Sequence, residues 1–378
     1  MKKLWQRFSH LFSNNVLLFT LISIFLGLFI GAIILLAAGF NPLLAYSTIL
    51  TGIFGRWKYI SYTIIRATPL ILTGLSITFA FRTGLFNIGA EGQFIIGAVT
   101  AAAAGYFFHL PWFIHIPVVI LLAMITSGIW GGIAGFLKAK FGVNEVISTI
   151  MLNWVALNLL NMLVYTKGFQ KPGNETSYDI HSSAIITLLN DWKLSSAGRA
   201  WLADHPILSD VLKTPINFGF IIAIIAAFLV WFILKHTTLG YKLRAVGLNI
   251  HAAKYGGINV NKNMIISMTI AGALAGLAGA VQVMGVSHNV SLLAAMEGYG
   301  FDGIAVSLIG SNTAIGCVLS GLLFGALKYG GQKIQPIMGA PSEIVSIVIG
   351  VIVFFIAMPR LIALLIKIFN KKDKSDVR

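Results

Sequence analysis

The sequence is poor in the residues on which soluble chemistry rests. One cysteine, Cys317, stands among 378 residues, so no disulfide can form within the chain, and its apolar surroundings are those of a packed thiol. No lysine follows a glycine anywhere, which excludes the phosphate-cradling G-x-x-x-x-G-K-[ST] loop of nucleotide hydrolases. His109, His115, His236, His251 and His288 are scattered without the spacing of metal ligands, and no nucleophile stands beside a base, so an enzyme is not expected. Charged residues make up 10% of the chain, too few to solvate a globular domain of this length.

What is present is apolar. Hydrophobic residues reach 57% and the mean hydropathy is +0.87, which implies an all-α, polytopic membrane helix bundle. The net charge of +15 has the sign of a nucleic-acid binder, but basic and aromatic residues do not interleave on one soluble module. It reads instead as topology in the lipid bilayer, with no nucleic-acid partner. A basic start, MKKLWQRFSHLFSNN, precedes a first apolar run at 16–38 with no small-residue cleavage site behind it, so that run is expected to be retained. Further runs at 63–81, 82–105, 114–137, 146–165, 218–234, 264–284, 298–309, 316–327 and 345–366 make about ten transmembrane helices in a single domain over residues 1–378. The 298–309 run is short for a full crossing and predicts a tilted or broken span.

Lys and Arg set the orientation. With both termini cytoplasmic, the inner segments carry seventeen cations, from Lys2 through Lys262 plus the six tail cations from Arg360 to Arg378. The short outer segments carry four, Arg56, Lys58, Lys328 and Lys333. The polar segment 167–217 has no run long enough to cross and is expected as an extracytoplasmic loop, either a docking cap or a passive spacer.

Two stretches stand out. Residues 237–258, TTLGYKLRAVGLNIHAAKYGGI, predict two short helices. Leu239, Leu243 and Val246 recur at i, i+4 and i+7, Gly247 offers a stop, Asn249 a second N-cap, and Gly256-Gly257 an end. Ala252 and Ala253 leave a flat face suited to a groove on another protein; a plain basic loop is the alternative. The second stretch, RTGLFNIGAEGQFIIGAVTAAAAG from Arg82, puts Asn87, Glu91 and Gln93 into an apolar run. Lipid has no use for such groups, so they face protein or water, or lie near a helix end. Glu91 either faces a pathway, caps a helix start or pairs with Arg82; Asn153, Asn158 and Asn161 either line a pathway or bond between helices. Arg66 either snorkels or faces the bundle, and AGALAGLAGA within 264–284 predicts tight helix contact.

The order Gly240, Arg244-Ala245, Gly247, Asn249, Ala252-Ala253, Gly257-Ile258 resembles the cytoplasmic coupling loop of ABC-importer permease subunits, in the branch that moves ribose, branched-chain amino acids and nucleosides. His251 stands where the general importer signature has Glu, so the role of that acid does not carry over. The phrase GLFNIGAEGQ is similar to the nucleoside or simple-sugar branch, and GYGFDGIAVSLIGSNTAIG resembles the family's second-repeat signature. The resemblance implies a subunit of the cell (plasma) membrane that moves a nucleoside or simple sugar inward by alternating access. ATP and Mg would be held by separate ABC ATPase subunits gripping 237–258 through Leu239, Gly240, Arg244, Ala245, Gly247, Asn249, Ala252, Ala253 and Gly257. A second permease subunit, homologous or identical, and an extracytoplasmic solute-binding protein are the other implied partners, and no cofactor or metal is expected in this chain. Asn87, Glu91, Gln93, Asn153 and Asp302 are the residues whose polar atoms would meet sugar hydroxyls or base edges. The competing reading is an ion-coupled secondary transporter using Glu91, Glu297 and Asp302 as intramembrane ion sites.

Overall fold

The computed structural model describes residues 16–357, and every regular element within them is a helix. The basic start and the tail cations counted above lie outside the described residues. In chain order the helices are α1 (Val16–Ala37), α2 (Pro42–Phe54), α3 (Trp57–Phe81), α4 (Ala90–Phe107), α5 (Trp112–Phe141) and α6 (Glu145–Val164). The short α7 (Asn190–Leu194), α8 (Ser196–Asp204) and α9 (Pro206–Leu212) come next, then α10 (Gly219–His236), α11 (Thr238–Leu248), α12 (Ile250–Tyr255) and α13 (Val260–Gln282). The chain closes with α14 (Tyr299–Ile309), α15 (Ala314–Gly331), α16 (Ile334–Met338) and α17 (Ser342–Ala357).

Six helices among the described residues are long and apolar enough to cross a bilayer, or seven if the bent pair α1–α2 counts as one span. The shortfall from about ten has local causes. α4 begins with Glu91 and Gln93 in its first turns, α14 has eleven residues, and α17 is described over sixteen.

The chain forms two compact units, one from the residues up to Gly55 together with those from Leu327 onward, the other from Arg56 to Ala326. In the first, α1 turns through 119° into α2. Asn41 accepts from the Leu43 and Leu44 amides and Pro42 occupies the first helical position, so the turn is written locally.

In the second unit, burial sorts the helices. The apolar window of α3 is 83% buried and that of α13 72%, against 28% for α5, so α3 and α13 are wrapped by protein. The outer helices instead turn Leu121, Ile125 and Ile129 of α5, Met151 and Trp154 of α6, and Phe228 and Leu229 of α10 outward, a surface that only lipid solvates without cost. The AGALAGLAGA run makes the expected close contact: a methyl group on Gly276 would strike Ser127 and the Ala123 carbonyl of α5, and one on Gly97 of α4 would strike the Gly276 backbone. Cys317 is fully buried, its sulfur 2.9 Å from the Thr78 hydroxyl oxygen.

Residues 167–217 are not a loose spacer within this unit. His181 donates its amide to Gly105 O at the end of α4 (2.9 Å), and the segment pairs with the stretch after α13: Ile186 N to Met284 O (3.1 Å), Ile180 N to His288 O (2.8 Å) and Ser177 N to Val290 O (2.8 Å). Arg56 holds α9 by a two-pronged ion pair with Asp210, 2.8 and 3.2 Å.

Candidate functional site

The loop 82–89 and the first turns of α4 form a closed polar lock. Asn87 and Gln93 exchange side-chain hydrogen bonds, Asn87 Nδ2 to Gln93 Oε1 (2.8 Å) and Gln93 Nε2 to Asn87 Oδ1 (3.1 Å), while Asn87 also donates to the Ser76 hydroxyl and accepts from the Gly89 amide. From α6, Asn153 accepts from the Gly92 amide (2.8 Å) and donates to Ile88 O (3.0 Å). All three side chains are buried to within 1%. The reason is local: Gly89 precedes α4 and has no side chain to cap it, so the orphan amides of its first turn take Asn87 and Asn153 instead.

Glu91 acts on a different helix from its own. Its carboxylate accepts from the amides of Gly298 (2.7 Å) and Gly300 (2.5 Å), the start of α14, where Gly298 adopts a left-handed φ of +87°. Arg82, eight residues before α4, donates from Nε and Nη2 to Asn312 O (3.0 and 2.7 Å), just past the end of α14. The half-length helix is therefore held at its positive end by an acid and at its negative end by a base, both from one short segment, in the sense its dipole favours. Glu91 thus caps a helix start, as one of the sequence alternatives had it, but of α14 rather than α4; Arg82 takes a partner of its own.

Asp302 lies half-buried in the first turn of α14. On the same side Arg66 donates to the Tyr299 hydroxyl (3.3 Å), with Tyr299 lying against Phe94 at 5.0 Å between ring centres. Arg66 therefore reaches across to α14 rather than only snorkelling. Of the asparagines on α6, Asn161 bonds both ways to the Leu293 backbone at 2.9 Å, whereas Asn158 is exposed and bonds only within its own helix.

The 237–258 stretch folds as two helices, α11 and α12. Thr237 caps the first through the Gly240 amide, and Asn249 caps the second through His251 and Ala252. Leu243 and Val246 are buried, Leu239 is half-buried, and Gly240 lies against the α10 backbone at Ile233 and Leu234, with no room for a side chain. Three details correct the sequence reading. Gly247 is not a stop but a contact, inside α11 and against the backbone of Arg82–Gly84. Ala252 is exposed while Ala253 is buried, so the two alanines do not share a flat face. The outward surface is instead made by Tyr255 (97% exposed), Leu248 (88%), Tyr241 and Ile250, set among the exposed cations Lys242, Arg244 and Lys254. Its only sequence signal was large apolar residues in a cationic loop. Between this stretch and the bundle lies a cavity of about 340 Å³, bordered by Thr83, the ion-paired Lys138 and Glu145 (2.8 Å), and His251.

This geometry runs from a solvent-facing apolar patch, through Gly247, to the segment that clamps both ends of α14. Comparison with known proteins names the family. The family model for the permease component of branched-chain amino acid transport systems matches residues 59–357. The chain belongs to this permease family. It is 43% identical to the guanosine ABC transporter permease protein NupP of Bacillus subtilis over 93% of this chain and 94% of that one. It is 37% identical to the nucleoside ABC transporter permease protein NupB of Lactococcus lactis over 92% of each. The glucose ABC transporter permease protein TsgB13 of Haloferax volcanii is 30% identical over 89% of this chain and 85% of its own length. No solved structure matches the chain. As a member of this permease family, it is a multi-pass transport subunit of the plasma membrane rather than an enzyme.

Proposed function

We propose that this permease is one membrane subunit of an ATP-driven importer of nucleosides, with ATP and Mg held on separate ATPase subunits that dock on 237–258 from the cytoplasm. The observation that carries the coupling role is the exposed patch of Leu248, Ile250 and Tyr255 on two capped helices whose Gly247 lies against Arg82–Gly84. Capped helices transmit displacement, and an apolar patch of this kind in water marks a contact surface. The two relatives aligned over more than nine-tenths of the chain are named for guanosine and nucleosides, which supports the substrate class; the glucose relative makes a simple sugar the second candidate.

In this reading the spans total about ten, with α4, the 298–309 run that forms α14, and α17 added to those long enough to cross, and both termini lie in the cytoplasm. The 167–217 segment then faces outward, where a solute-binding protein delivers substrate, and a second permease subunit, homologous or identical, completes the pathway. Along it, the polar lock of Asn87, Gln93 and Asn153 and the Glu91 clamp set the wall, with the half-buried Asp302 beside them. The ion-coupled alternative loses its first acid, because Glu91 is already taken up by two backbone amides. The deciding experiment is nucleoside uptake in cells. Uptake that survives collapse of proton and sodium gradients and stops when the nucleotide-binding subunit is removed supports the importer; the reverse pattern refutes it.

Gly257 offers a test of coupling alone. Its φ is +77° and no atom lies within 4 Å of an added Cβ, so a side chain has room and the strain is confined to the turn, on the order of 1–2 kcal/mol. Gly257→Trp is expected to assemble normally and to hydrolyse ATP while nucleoside uptake falls at least about tenfold, since the indole would stand beside Tyr255 on the docking face. Retained uptake in vesicles would count against the coupling role.

A further inference from the structure

One cavity is not absorbed by this account. It measures about 80 Å³ and lies between α4, the turn after α13 and the 287–297 segment, lined among others by Phe94, Gln282, Ser291 and Glu297. The turn is π-helical over Val283–Ser287, a local irregularity that often marks a functional site. Its freed carbonyls are not wasted: Gly285 O accepts from Thr187 Oγ1 (3.2 Å) and Asn217 Nδ2 (3.1 Å). The facing wall is equally rigid, since 288–292 is paired with 175–180, Asn289 donates to Asp179 (2.7 Å), and Asn161 holds Leu293.

Two polar side chains that line this cavity stand out. The half-buried Gln282 amide has no hydrogen-bond partner among the described residues, nor does the Glu297 carboxylate, which is near Arg66 only electrostatically. The half-buried amide is costly unless water or solute takes its bonds, and the exposed Glu297 carboxylate at the rim is free to accept from a solute entering the cavity. The space suits a small ring: by the volume one water requires it holds about five to eight, which is the scale of a pentose and too little for a pentose plus a purine. The apolar lining includes Phe94, whose ring lies against that of Tyr299.

We propose that this cavity is a subsite for the furanose ring of a nucleoside, in which the Glu297 carboxylate accepts hydrogen bonds from the vicinal 2′ and 3′ hydroxyls and the Gln282 amide bonds a further ring or hydroxyl oxygen. The base then lies outside the cavity. The proposal rests on the nucleoside reading of the permease, and it adds a discrimination which that reading does not contain: the 2′ hydroxyl is recognised in the membrane and not only by the external receptor.

The experiment is uptake of a ribonucleoside and of its 2′-deoxy counterpart by the complete transporter, at saturating solute-binding protein. The wild type is compared with Glu297→Gln, Glu297→Asp and Gln282→Ala, and co-purification with the ATPase subunits confirms assembly. Each substitution is read as the ratio of ribo to 2′-deoxy uptake relative to wild type, so selectivity imposed by the receptor cancels. Glu297→Gln is expected to lower that ratio on the order of tenfold, the loss of one hydrogen bond to a charged group, with Glu297→Asp intermediate and Gln282→Ala reducing uptake of both nucleosides. An assembled set of variants with the wild-type ratio overturns the subsite while leaving the nucleoside reading standing. Absence of nucleoside uptake in the wild type overturns the nucleoside reading itself.

Discussion

Replacing Glu91 by alanine is expected to leave little folded permease. The side chain is fully buried and its two oxygens hold the Gly298 and Gly300 amides, so truncation strands two backbone donors at the start of α14. Each stranded donor costs about 1–3 kcal/mol, so the combined loss is about 2–6 kcal/mol, comparable with the whole stability of a domain at the low end. The measurement is the thermal stability of the detergent-purified complex alongside uptake. A fall in melting temperature that Glu91→Gln reverses only partly fits the clamp, because glutamine restores one acceptor and turns its amide hydrogens on the other. If Glu91→Ala instead retained its melting temperature and changed only the KM for nucleoside, Glu91 would belong to the solute pathway and the clamp would be incidental. Asn87→Ala is expected to behave in the same direction with a smaller loss, since Gly89, Ser76 and Gln93 all lose a bond but no charge is involved.

Gly276→Val should also be strongly damaging. The new branched side chain would enter the space of the Ser127 side chain and the Ala123 carbonyl on α5, and the carbonyl cannot yield. Overpacking between helices typically costs about 1–3 kcal/mol, and contact with a backbone carbonyl puts this site toward the top of that range. The expected result is loss of the protein from the membrane fraction, with Gly276→Ala showing the same defect in weaker form. Wild-type levels of Gly276→Val would show that α13 and α5 can separate and that AGALAGLAGA serves something other than close approach.

The two predictions also separate what could be read early from what could not. The apolar runs marked most of the long helices to within about four residues, though α3 begins earlier and α4 later than its run; the Asn249 cap and the two helices after Thr237 followed from local chemistry, and small residues at spacings of three and four foretold a close helix pair. Each of these is a short-range signal: a cap reaches two or three residues, and helical periodicity repeats within a turn or two. The bonds that define the candidate site are of another kind. Glu91 meets Gly298 and Gly300 more than two hundred residues further on, and Arg82 meets Asn312 at a similar remove. Gly247 was read as a helix stop because a glycine near a helix end usually is one, yet its missing side chain serves contact with Arg82–Gly84.

Composition and local pattern established a polytopic helical membrane protein and where most of its helices run, because burial in lipid and hydrogen bonding within a helix are properties of contiguous residues; the permease family entered through the resemblance of its motifs. Which polar side chains are spent on distant backbone and which have no partner among the described residues was decided by the folded chain alone, since an amide or carboxylate looks the same in the sequence in either case.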